Sequence, residues 1–161
     1  MILFFSLDML FAAEVSAAPK PKIDQVVVSK HERTLILFSQ GKAFRTYKIS
    51  LGEAPAGAKQ QEGDHKTPEG HYILDRRNPR SKFYKSIHIS YPNEEDRKRA
   101  AQRGVSPGGD IMLHGLPNHF GWLGAMHLSQ DWTDGCIAVT NQEMDEIWDL
   151  VSDGTPIEIN P

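Results

Sequence analysis

Apolar positions along the 161-residue chain come in short runs rather than at a sustained helical period. Gln25-Val26-Val27-Val28-Ser29-Lys30 and Thr34-Leu35-Ile36-Leu37-Phe38-Ser39 are β-branched and aliphatic runs on either side of His31-Glu32-Arg33. Gln40-Gly41 then turns tightly into a third run, Ala43 to Leu51. β-rich runs separated by Gly-containing turns predict an antiparallel meander that ends at Gly52. Residues 53–70 are polar, broken by Pro55, Gly57, Gly63, Pro68 and Gly70. A loop this long inside a compact domain is usually functional or disordered.

Beyond it, His71–Leu74 and Ser86–Tyr91 read as strands, and Arg76, Arg77 and Arg80 crowd the loop expected between them. Asn93 opens a short helix with acids in its first turn and bases in its last, matching the helix dipole, and Gly104 closes it. Its only apolar residues are Ala100 and Ala101, so it should lie on the surface. Asp110 to His114 reads as a buried strand. Thr140 and Glu143 form a capping box for a helix whose Met144, Ile147, Trp148 and Val151 share one face. Thr155 to Ile159 is a last strand, its Pro156 placed as an edge strand allows. The pattern is one mainly β domain with short surface helices.

Residues 1–18 stand apart. An apolar stretch is followed by Ser16-Ala17-Ala18 and Pro19, the length and small-residue exit of a signal peptide. Asp8 and Glu14 interrupt it and no base precedes it, as in a truncated signal. A spanning helix needs about twenty uninterrupted apolar residues, so stable membrane insertion is not expected. The expectation is an exported protein, found in a periplasm or cell-wall compartment, with its working domain at residues 24–160. The net charge is -3, and there is no basic block, which argues against nucleic acid as a partner.

Cys136 is the one cysteine of the chain. In an exported protein it has no internal disulfide partner, which leaves packing or nucleophilic chemistry. A thiol with a pKa of about 8.5 needs a base or a positive environment to become a good nucleophile. Of the candidate histidines, His114 ends an apolar strand before Gly115. His127 lies near Cys136 in sequence and could line the same cleft. His119 sits in a loop, and His88 alternates with Ile87 and Ile89. Gly135 frees the backbone to turn, so its N–H and that of Cys136 are candidate oxyanion donors. No C-x-x-C or H-x-x-x-H spacing suggests a metal, and no cofactor is expected.

Leu113-His114-Gly115 followed by Thr133-Asp134-Gly135-Cys136-Ile137 resembles the signature of the L,D-transpeptidase catalytic domain (YkuD-type) family. Gly63 to Tyr72, with Thr67-Pro68-Glu69-Gly70, resembles the loop before that family's central strands, and Ser106 to Asp110 precedes the His strand as in its Asp-Trp-Thr-x-Gly-Cys branch. The resemblance implies a YkuD-like β-sandwich. It implies Cys136 as nucleophile and His114 as general base and acid, oriented by a carbonyl such as that of Gly115. The substrate implied is a peptidoglycan stem tetrapeptide that loses D-Ala to give a thioester, which an amine resolves. Asp134 stands where many members carry His or Lys, and Ala138 where many carry Arg or Asn. His127, Trp132, Thr133 and Arg80 are the candidate substrate contacts, with Lys66 a further source of positive charge. Trp122 lies in a Gly-flanked loop that reads as a lid or a fixed lining. Water in place of the amine would make an L,D-carboxypeptidase or endopeptidase, and an inactive wall-binding module is a third reading.

Overall fold

The structure is a computed structural model that describes residues 20–161, so the expected signal segment at residues 1–18 lies outside the described residues. The first three runs form the meander: β1 (Gln25–Ser29), β2 (Thr34–Ser39) and β3 (Lys42–Lys48) pair antiparallel in order. The remaining strands are β4 (Gly70–Ser81), β5 (Tyr84–Ile89), β6 (Met112–His114), β7 (Ile137–Ala138) and β8 (Thr155–Asn160). All eight belong to one mostly antiparallel sheet ordered β3-β2-β1-β8-β4-β5-β6-β7.

The sheet curls until its ends meet. Just past β3, Ser50 donates its N–H to the Ala138 carbonyl at 3.0 Å, and Ala138 donates back to Ser50 at 2.9 Å. Closure of this kind removes an open edge and encloses one core. That core holds Val26, Val28, Leu35, Leu37, Leu74, Ile87, Leu113, Ile137 and Ile157. They sit at alternate strand positions, as a pleat with one buried face requires.

Two strands differ from the sequence expectation. β8 is not an edge strand, because it lies between β1 in parallel and β4 antiparallel. Pro156 is tolerated there because the parallel register with β1 begins only at Ile157, so its missing N–H costs no bond on that side. Arg76, Arg77 and Arg80 are not in a loop either. They lie within β4, where irregularities between Leu74 and Arg76 and between Asn78 and Ser81 absorb Pro79.

Among the described residues, two α-helices and a 3-10 segment complete the fold. Helix α1 (Glu94–Gln102) begins at a capping box between Asn93 and Asp96. It is not wholly superficial: Ala100 and Asp96 are buried, and the Asp96 carboxylate accepts the Tyr72 hydroxyl at 2.9 Å. Helix α2 (Asn141–Leu150) starts at the Thr140–Glu143 capping box and buries Met144 and Ile147 in the core. The 3-10 segment (Gly121–Ser129) is broken at Gly124, whose φ is 47°. None of the described helices is long and apolar enough to cross a membrane.

Candidate active site

Register places the two chemically interesting side chains. β6 and β7 are parallel, with Leu113 opposite Ile137 and His114 opposite Ala138. Leu113 and Ile137 are fully buried in the core. Cys136 therefore falls level with Met112, and the period of two puts Cys136 and His114 on one face as diagonal neighbours. Both line a cleft of about 490 Å³, along with Phe83, Lys82, Asp110 and Trp132.

His114 is 2% exposed and its Nδ1 lies 2.6 Å from the Gly115 carbonyl oxygen. A carbonyl oxygen only accepts, so Nδ1 carries the hydrogen and Nε2 keeps its lone pair. Phe83 lies against the ring with 4.6 Å between centroids, and Trp132 meets it edge-on at 5.8 Å. Burial pushes the imidazole pKa down to about 4, against the opposing effect of the Gly115 carbonyl. The ring is neutral at physiological pH.

Cys136 is half-buried. Its sulfur accepts the Met112 N–H at 3.4 Å, and its own hydrogen points at the Asp110 carbonyl at 3.6 Å. Burial pushes the thiol pKa up; the Met112 N–H works against this, and the charges of Asp134 and Asp110 add to it. Both groups are thus uncharged at rest, a thiol and a neutral imidazole, rather than a thiolate and an imidazolium.

The turn that carries the sulfur is pinned from several sides. Thr133 Oγ1 donates to the Cys136 carbonyl at 2.8 Å and accepts the Gly135 N–H at 3.1 Å. Gly135 has φ of +123°, and a Cβ there would come within 2.5 Å of the Lys66 carbonyl. The polar loop thus packs directly under the turn. Thr67 Oγ1 accepts the Gly52 N–H at 3.1 Å, and a Cβ on Gly52 would meet the His65 carbonyl at 2.2 Å. Lys30, 2% exposed, ties that loop down with bonds to the carbonyls of Gly57 (2.7 Å) and Thr67 (3.0 Å) and to Glu69 (2.8 Å).

A profile of the YkuD family, the L,D-transpeptidase catalytic domain, matches residues 23–159. This chain belongs to that family. It is 34% identical over 133 residues to the Escherichia coli (strain K12) protein named "Putative L,D-transpeptidase YafK", covering 79% of this chain and 46% of that protein. Among solved structures it resembles the helical cell shape determining protein Pgp2 of Campylobacter jejuni, with TM-score 0.64 and 28% identity over 86% of this chain and 48% of that one. It also resembles Bd1075 of Bdellovibrio bacteriovorus, with TM-score 0.61 and 26% identity over 87% of this chain and 48% of that one. The chain spans about half the length of these relatives.

Within this L,D-transpeptidase domain several expected contacts sit elsewhere. The Gly135 N–H is donated to Thr133 Oγ1, which leaves the Cys136 N–H as the remaining candidate of the two. Thr133 does line the cleft, but it is buried and its hydroxyl is committed to the turn. Arg80 is exposed on β4 and does not line the cleft; the cation that does is Lys82. His127 is buried behind Trp132, its Nδ1 3.1 Å from Ser50 Oγ and 3.5 Å from the Trp132 indole nitrogen. It lines a separate hollow of about 390 Å³ with Leu116, Phe120, Leu123 and Met126. Trp132 is the wall between the two hollows. Trp122 is 73% exposed and lines neither. His88 pairs with Asp75 at 2.6 Å, and Lys66 reaches the Ala56 carbonyl at 2.7 Å.

Asp131 and Asp134 make long-range rather than local bonds. Asp131 accepts the Leu51 N–H at 2.8 Å and pairs with Arg33, while Asp134 reaches His65 at 2.8 Å. Sequence reasoning missed Lys82, Phe83, the Met112 N–H and the Asp110 carbonyl. The two backbone groups leave no signature in residue type. Among the described residues, no three His, Cys, Asp or Glu side chains gather to hold a metal ion.

Proposed function

We propose that this domain is a peptidoglycan L,D-transpeptidase with Cys136 as nucleophile and His114 as general base and acid. One observation carries the reading: His114 shares a strand face with Cys136 while the Gly115 carbonyl holds its Nδ1–H, leaving Nε2 as a free base. Nε2 takes the S–H proton as sulfur attacks the carbonyl of the L-centre-linked residue in a stem tetrapeptide. The Cys136 N–H faces the developing oxyanion. Collapse returns the proton to the nitrogen of the leaving D-Ala and gives a thioester. An amine on a second stem then attacks the thioester, loses its proton to Nε2 and restores the thiol. A positioned base of this kind is worth 10²–10⁴-fold. A neutral resting pair suits the scheme, because the transfer is driven only once a carbonyl arrives to accept the sulfur. Lys82, on the cleft wall, is the cation that would receive a stem carboxylate.

Residues 1–18 support export to the compartment where the wall lies. The name of Pgp2 connects that relative with cell shape; wall remodelling with such an outcome is the corresponding proposal for this chain. A second reading passes the acyl group to water. It is favoured by the Asp134 carboxylate beside the nucleophile where many relatives carry a base, and by Ala138.

Intact-mass analysis with a carbapenem tests the nucleophile. The expected result is one adduct on the native chain and none on Cys136→Ala; an adduct on the alanine variant sinks the assignment. Digested sacculi separate the two acceptors: new dimers mark transfer, and loss of dimers or of linked protein marks hydrolysis.

A further inference from the structure

We infer that Asn141 is a positioning residue for His114, acting through the peptide group between Gly115 and Leu116. The inference rests on His114 serving as the base for Cys136. That peptide group is held at both edges. Its carbonyl accepts the His114 Nδ1–H at 2.6 Å, and its N–H, on Leu116, donates to Asn141 Oδ1 at 2.8 Å. In a trans peptide the C=O and N–H point in opposite directions, so fixing one edge aims the other. The result is a line of hydrogen bonds from Asn141 through a backbone amide to the imidazole.

The amide of Asn141 is itself locked. A Cβ on Gly115 would come within 2.7 Å of Asn141 Oδ1, and one on Gly121 within 2.6 Å of Nδ2. The side chain is wedged between two glycines, one beside His114 and one at the start of the 3-10 segment. Leu116 presents a donor, which requires oxygen rather than nitrogen to face it. Asn141 is the first residue of α2, immediately after the Thr140 cap, and α2 is fixed to the core by Met144 and Ile147. The anchor is therefore rigid.

Two effects follow. Donation from Leu116 N–H polarises the peptide and strengthens the Gly115 carbonyl as an acceptor. It also keeps that oxygen turned toward Nδ1, where the other neutral tautomer would set a ring lone pair against a carbonyl lone pair. Asn141 thereby holds the proton on Nδ1 and the lone pair on Nε2.

The test compares Asn141→Ser, too short to reach Leu116 but well suited to a first helical turn, with Asn141→Asp, which keeps the acceptor. ¹⁵N NMR of the His114 ring reads the tautomer directly, and carbapenem acylation of Cys136 reads the rate. Asn141→Ser is expected to lose the pure Nδ1–H signature and to acylate about 10–100-fold more slowly, the usual scale for a group that orients another. Asn141→Asp is expected to keep the signature and most of the rate. A serine variant with the native tautomer overturns the inference whatever its rate, and so does a folded aspartate variant that loses the tautomer. The tautomer measurement needs no wall substrate, so it fails or succeeds separately from the peptidoglycan reading.

Discussion

The backbone N–H of Met112 points at the Cys136 sulfur from the neighbouring strand, 3.4 Å away. It is the one hydrogen bond at the sulfur that favours a thiolate, and burial together with the Asp134 and Asp110 charges outweighs it. The thiol should therefore ionise above the ordinary value of about 8.5. Iodoacetamide alkylation followed by intact mass should rise with pH to a midpoint above that value. Asp134→Asn removes one of the opposing charges from an exposed position, so it should speed alkylation at pH 8 by only about twofold. A midpoint below pH 7.5 would contradict the neutral resting pair.

Stability should fall on mild acidification because of His114. Its pKa in the folded chain is about 4, against about 6.5 when unfolded. Between those values the unfolded chain binds the extra proton, so stability is full above pH 6.5 and drains away as pH drops toward 4. The loss is about 3 kcal/mol at most. His127, also lowered by burial, adds to it with the same sign. Urea unfolding at pH 7 and at pH 4.5 would measure this, and His114→Gln should flatten much of the difference.

Glycines at the Cys136 turn should be intolerant of a single methyl. Gly135→Ala places Cβ against the Lys66 carbonyl at a φ of +123°, and Gly52→Ala drives it into the His65 carbonyl. Each should cost about 2–4 kcal/mol. Gly41→Ala is the control: its φ is +71° but nothing lies within 4 Å, so about 1 kcal/mol is expected. Thermal melts of the three variants would rank them. Gly52 has no positive φ, so its loss reads crowding alone; equal losses at Gly135 and Gly41 would show that backbone strain, not crowding, dominates at the turn.

Lys30→Met should loosen the loop beneath the Cys136 turn. The substitution leaves Glu69 and the Gly57 and Thr67 carbonyls without their shared donor. Removing one partner of such a set should cost about 2–4 kcal/mol. Hydrogen exchange should quicken at Gly52, whose N–H depends on Thr67, before it quickens in the β1–β2 pair.

Local signals in the sequence were sufficient for much of this fold. The meander, the Thr140–Glu143 cap and the buried stripe of α2 depend on neighbours within a few residues, and each forms as its pattern predicts. The pairing of β8 beside β1 and the closure of Ser50 on Ala138 join distant segments, and no periodicity encodes them. Arg77 makes the same point. It reads as part of a cationic loop, yet it stacks 4.8 Å from the Trp148 ring centre and pairs with Asp153 at 2.8 Å. His114 and Cys136 stand out as candidates because one ends an apolar strand before a glycine and the other is the single cysteine. Asn141 was not, because its work is done on backbone groups.

The hydrogen on the Cys136 sulfur, turned toward Asp110, has a consequence for chemical damage. Peroxide attacks the ionised form of sulfur, and the first product, a sulfenic acid, is normally rescued by a second thiol. This chain has no second cysteine to do so. Keeping that sulfur protonated at rest shields it from an injury that no other thiol of this chain could reverse.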